Sequence, residues 1–115
     1  MNLEIVSVHG QGDQEKEHVL LRVKSDCSVG HFLLADSTYT NDTHVSNKVR
    51  HTYWFPDKNV KADEYVSLWT KNGTSTSDTM KDGTPIHRFF WNLGKPVWND
   101  SGDCAILFDL SLIHI

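Results

Sequence analysis

The stretch Trp91-Asn-Leu-Gly-Lys-Pro-Val-Trp-Asn-Asp-Ser-Gly-Asp-Cys-Ala-Ile-Leu-Phe-Asp109 decides the fold. It holds two tryptophans, Trp91 and Trp98. A turn-rich segment, Asn99 to Asp103, follows, and then a compact apolar run, Ala105 to Phe108. Turn chemistry placed directly before an apolar run reads as an anchored corner feeding a core strand. Trp91, Trp98, Asn99, Gly102 and Asp103 form that structural corner. Each indole buries roughly 150–250 Å² and needs a partner for its N–H, which favours packing between sheets or over one end of a sandwich. Asx-turn chemistry, with Gly102 at positive φ, accounts for the polar residues. Calcium ligation would need a longer run of oxygen ligands than this.

Working outward, most other segments read as strands. Val19, Leu21 and Val23 alternate with His18, Leu20 and Arg22, the period-2 pattern of a half-buried strand. Near the N-terminus, Leu3 and Ile5 share one parity and Val6 and Val8 the other. That switch predicts a bulge or a strand that changes sheets. Phe32 and Leu34 mark a short strand, and Tyr53-Trp54-Phe55 ends at Pro56. Val66 and Leu68 alternate against Tyr65 and Trp69, and Phe89-Phe90-Trp91 closes another strand. The segments 36–48 and 71–85 read as long polar loops, a length that is usually functional or mobile. No apolar spacing supports a helix longer than one turn. The expected fold class is therefore all-β: a sandwich or barrel of seven or eight short strands, in a single domain over residues 1–115.

Bulk properties narrow the function. A chain of 115 residues with 38% apolar residues can bury a core, and is too short for two domains. The net charge is −4, and the lysines and arginines form no stripe, so a nucleic-acid partner is not expected. No window approaches the ~18 apolar residues of a membrane span, and the N-terminus lacks the pattern of a signal peptide. Compartment stays open. The two cysteines, Cys27 and Cys104, read as small buried hydrophobes. The seven histidines have no short paired spacing of the kind zinc requires. There is no Gly-x-Ser-x-Gly elbow and no phosphate-cradling Gly-rich loop. No enzyme activity, catalytic residue, metal or cofactor is expected.

The segment from Tyr53 to Asp109 resembles the lamin tail domain. The matching features are Trp54-Phe55-Pro56, then Val60-Lys61-Ala62-Asp63-Glu64-Tyr65-Val66, then Trp91-Asn92. Last comes Val97-Trp98-Asn99, with Gly102-Asp103, Leu107 and Asp109 in the order Trp-Asn-x-x-Gly-Asp-x-x-x-Leu-x-Asp. Upstream, Val19 to Lys24 and Gly30 to Asp36 look like the family's earlier strand pair, so the match runs in order from about residue 3 to 109. His31-Phe32 stands where the family commonly has Gly-Trp. The Gly-containing turn that often precedes the family's last strand is missing after Asp109. The resemblance implies an immunoglobulin-like β-sandwich of about seven to nine antiparallel strands, without a catalytic site. It also implies a binding or tethering role toward a protein, envelope-associated or chromatin-associated partner. Trp54, Tyr65 and Trp69 are the candidate partner surface, because exposed aromatics mark contact sites. A carbohydrate- or small-ligand-binding sandwich accessory to a hydrolase is the alternative, and it would show a flat exposed indole.

Overall fold

The structure, a computed structural model, describes residues 1–38, 50–98 and 103–111. Among these residues the chain is an all-β sandwich of ten strands. They are β1 (Leu3–His9), β2 (His18–Val23), β3 (Cys27–Ser28), β4 (Phe32–Thr38), β5 (Thr52–Trp54), β6 (Asn59–Val60), β7 (Tyr65–Trp69), β8 (Thr76–Thr79), β9 (Pro85–Phe90) and β10 (Asp103–Asp109). One 3₁₀ turn, Val29–His31, joins β3 to β4; the Ser28 side chain caps it by accepting from the Gly30 N–H. A five-stranded sheet has the order β1-β2-β7-β9-β8, a three-stranded sheet the order β10-β4-β5, and β3 pairs with β6.

The alternation read from the sequence fills the core. Leu3, Val19, Leu21, Val23, Val66, Leu68 and Phe89 come from one face of the larger sheet and meet Phe32 and Leu34 of the smaller one. The parity switch in β1 is a bulge: Ile5 pairs with Leu21 and Ser7 with Leu20, so Val6 has no partner across the ladder. Val8 thereby returns to the core side opposite Val19, while Val6 stays 49% exposed.

Several expectations are corrected. The strands are not all antiparallel, because β7 and β9 pair in parallel, Val66 opposite His87 and Leu68 opposite Phe89. Parallel neighbours need a crossover, and residues 70–84 supply it. The segment 71–85 is therefore not one loop. It holds β8, which pairs antiparallel with the far side of β9 through a tight turn closed by Gly83 N–H to Met80 C=O at 2.9 Å. Gly83 sits at φ +89°, which glycine adopts without strain. Likewise, Asp36 is not in a loop: β4 continues to Thr38, with Asp36 and Ser37 buried. Cys27 and Cys104 are half-buried rather than buried, and Cys27 is in no disulfide.

At the corner, Trp98 is 1% exposed and Trp91 half-buried. The strand that follows begins at Asp103, earlier than the apolar run suggested, with Asp103 opposite Thr38. Asn99, Gly102 and the turn proposed for them lie outside the described residues. A chain of tilted and edge-on rings ties the corner to both sheets: Phe89 to Phe55 at 5.3 Å, Phe55 to Tyr53 at 5.1 Å, Tyr53 to Trp91 at 6.1 Å and Trp91 to Trp98 at 6.3 Å. These are favourable aromatic separations.

What fixes the corner is Glu17, fully buried and just ahead of β2. Its Oε1 accepts the Val97 N–H at 2.6 Å, and its Oε2 accepts the Trp98 and Gly12 N–H groups, each at 3.2 Å. A buried carboxylate is costly unless such donors surround it. Trp98→Ala should cost ~3–5 kcal/mol in chemical denaturation. Glu17→Ala should cost on the order of 3 kcal/mol, because it strands buried N–H groups. Both release the same segment, so the double variant should lose clearly less than the sum. A near-neutral Trp98→Ala, or strict additivity, would refute this account of the corner.

Candidate functional site

The three aromatics expected to form a partner surface lie on opposite outer faces of the sandwich. Tyr65 and Trp69 project from the outer face of the five-stranded sheet, and Trp54 from that of the three-stranded sheet.

On the larger sheet, cross-strand register aligns His9, His18 and Trp69 on β1, β2 and β7. Their rings stack, His9 on His18 at 4.9 Å and His18 on Trp69 at 3.9 Å. The Lys71 ammonium lies 5.2 Å from the Trp69 ring, and the indole N–H donates to Ser67 Oγ at 3.0 Å. Trp69 is thus engaged by its own neighbours. Beside it, Tyr65 is half-buried on the row of Arg22, which pairs with Asp63 at 2.7 Å and approaches Glu4 at 3.8 Å. This face is already largely satisfied.

The smaller sheet differs. Leu33 of β4 lies opposite Trp54 of β5 on one side and Phe108 of β10 on the other, so the three side chains form one row across the sheet. With strands ~4.8 Å apart, the row spans about 10 Å. Trp54 is 56% exposed, Phe108 40%, and Leu33 half-buried. The Trp54 N–H donates to Gly30 C=O at 2.8 Å, so the rest of the indole offers hydrocarbon. Leu33 and Phe108 were not anticipated as surface residues. The run Ala105 to Phe108 reads as core, yet only Ala105 and Leu107 pack on it. The available signal was the missing alternation: an unbroken apolar run on a strand implies that both faces are apolar.

A polar chain crosses the far end of the larger sheet. Ser77 Oγ lies 2.9 Å from His87 Nδ1, and His87 Nε2 lies 2.9 Å from Glu64 Oε1. Burial opposes the charge on Glu64, but the Lys61 N–H and His87 outweigh it and hold the carboxyl below its ordinary range. The ionised carboxylate requires a proton on Nε2, so in the neutral ring Nδ1 accepts from Ser77. The order is that of a nucleophile, base and acid. However, Ser77 lies on β8, a strand exposed along its whole length, where water is not excluded. An open concavity of about 580 Å³ at the β3–β6 pair is lined by Asp26, Cys27, His31 and Lys61, among others. The Cys27 thiol there is pushed up by burial and by Asp109 and Asp26, which makes it a poor nucleophile. Among the described residues, no three His, Cys, Asp or Glu side chains converge as a metal site, and no helix is long and apolar enough to cross a membrane.

No family model matches the chain, and no curated protein matches it significantly.

The ring stack has a pH signature. Burial lowers the His18 pKa from 6.5, outweighing its bond to Lys16 C=O. The unfolded chain therefore binds this proton more tightly, and His18 contributes stability above its ordinary pKa that is lost as pH falls through the lower folded-state value. His18→Phe keeps a ring on Trp69 and removes the titration. The fall in melting temperature between about pH 8 and pH 5 should shrink in this variant. An unchanged pH dependence would exclude His18 as a source.

Proposed function

We propose that this domain is a non-catalytic interaction or tethering module of the lamin-tail type, with an immunoglobulin-like fold, that binds a protein partner on the outer face of its three-stranded sheet. The observation that carries this reading is the apolar row Trp54–Leu33–Phe108, with Trp54 56% and Phe108 40% exposed. Large apolar side chains grouped on a surface are what a partner desolvates, and Trp ranks among the strongest interface anchors. The family reading rests on residue order, chiefly Trp98-Asn99 ahead of Gly102-Asp103, Leu107 and Asp109. It points to a partner associated with an envelope or with chromatin proteins. The net charge of −4 argues against direct contact with nucleic acid.

The exposed indole also favours a second reading, a carbohydrate-binding sandwich. A sugar platform needs polar side chains beside the ring to pair with hydroxyls, and the neighbours of Trp54 in its row are Leu33 and Phe108.

The test immobilises the domain beside its Trp54→Ser and Phe108→Ser variants and identifies retained proteins from the source organism by mass spectrometry. A partner held by the parent chain should be lost from both variants, while their thermal unfolding stays close to the parent's. Retention indifferent to both substitutions would sink the surface. Saturable Trp fluorescence changes on titration with glycans, abolished in Trp54→Ser, would replace it with the carbohydrate reading.

A further inference from the structure

A second feature, independent of the Trp54 row, runs across the larger sheet to its β8 edge. Register places Ser77 of β8 opposite His87 of β9, and His87 opposite Val66 of β7. His87 and Phe89 are two residues apart on one strand, so this row lies on the face that carries Phe89 into the core.

The two ends of the relay differ in exposure. The His87 and Glu64 side chains are 12% and 18% exposed, with Nε2 2.9 Å from Glu64 Oε1. The Lys61 N–H fixes the same carboxylate oxygen at 3.0 Å. Ser77, by contrast, is exposed, and its Oγ lies 2.9 Å from His87 Nδ1. An ionised Glu64 accepts the Nε2 proton, which leaves Nδ1 to accept the Ser77 O–H. A shielded base with a fixed tautomer, holding an open hydroxyl, is the arrangement that activates a serine. Beside Ser77 lies a recess of about 110 Å³ whose lining includes Phe89. That is far below the roughly 300–1,000 Å³ of a cofactor-sized site, so it suits a short acyl group.

We propose that Ser77 is a site of covalent acylation, taking a short acyl group from an activated donor such as a thioester or aryl ester, with His87 as general base and Glu64 as positioning residue. Ser77 Oγ bonds to the carbonyl carbon, and the bond from that carbon to the leaving sulfur or oxygen breaks. The hydroxyl proton passes to His87 Nδ1 and from there to the leaving group, so the products are an O-acylserine and a free thiol or alcohol. Glu64 stabilises the imidazolium formed on the way. Turnover would need a site closed to water, and β8 is exposed along its whole length. The serine is therefore a stoichiometric acceptor, and the non-catalytic reading of the domain is untouched.

The experiment treats the full chain with p-nitrophenyl acetate and follows acetylation of individual serines by peptide mass spectrometry. Ser75 is the internal reference, because it is exposed like Ser77 but precedes the paired register of β8 with β9. Ser77 should react at least about tenfold faster than Ser75, a floor below the ~10²–10⁴ that a positioned base supplies. His87→Gln should bring the two rates together while β8 stays paired with β9 by amide NMR. Glu64→Gln keeps an acceptor for the Nε2 proton but removes the charge, and it should lower the ratio as well. Equal rates at Ser77 and Ser75 in the parent chain would overturn the site without recourse to any variant. So would a Ser77 advantage that survives His87→Gln, or acetyl found on His87 alone. A ratio unmoved by Glu64→Gln would strike the carboxylate from the relay.

Discussion

The structure depends on one buried charge. Glu17 brings a carboxylate into a site with no solvent exposure, where desolvation costs several kcal/mol unless donors replace the lost water. The donors are backbone N–H groups of Val97 and Trp98, 80 and 81 positions away in sequence, together with that of Gly12. The constraint is reciprocal. The carboxylate is tolerable only if the 97–98 segment lies against the loop before β2, and the carboxylate in turn holds that segment by two backbone N–H groups. Gln14 adds a second tie, its side-chain amide donating to Leu93 C=O at 2.8 Å. With the segment in place, Trp98 is buried, and the ring chain through Trp91, Tyr53, Phe55 and Phe89 runs between the two sheets.

Several parts of this arrangement were legible from residues alone, for identifiable reasons. β2 and β7 were readable because each has one face on the core, and period-2 alternation follows directly from that. The β1 bulge was readable because an extra residue inverts the parity of everything after it. By contrast, β8 could not be read: Thr76-Ser77-Asp78-Thr79 is exposed throughout, so neither face selects for apolar residues and no alternation exists to be found. The parallel β7–β9 pair was hidden for a related reason. Periodicity reports burial but carries no information about strand direction, and the intervening strand that sets the direction was the invisible one. Glu17 was missed because a single glutamate in a polar stretch looks like any solvated side chain; its partners are main-chain groups, which have no sequence signature. Of the candidate surface, Trp54 was identifiable by type, whereas grouping it with Leu33 and Phe108 required the register of three strands.

The sheet edges and faces are managed differently, and the difference narrows where a partner can bind. The two edges of the large sheet are each protected, one by the Val6 bulge in β1 and the other by the wholly polar β8, two of the usual devices against unwanted strand addition. Its outer face is also occupied, because His18 and Lys71 cover Trp69, and Arg22 is committed to Asp63. Neither its edges nor its face offers much that a partner could improve.

Among the described residues, the outward row of the three-stranded sheet has no comparable internal partners. Trp54 spends its one polar group on Gly30, and Leu33 and Phe108 have none to spend. A ligand approaching this row therefore gains almost nothing from hydrogen bonding to these three side chains and must gain from apolar area. At ~25 cal/mol per Å², covering a few hundred Å² contributes several kcal/mol before the costs of association are met. That energy is available to a protein surface carrying its own apolar side chains, and much less so to a hydroxyl-covered sugar, which would lose water along its edges without finding partners. The chemistry of the row thus favours a protein as its occupant.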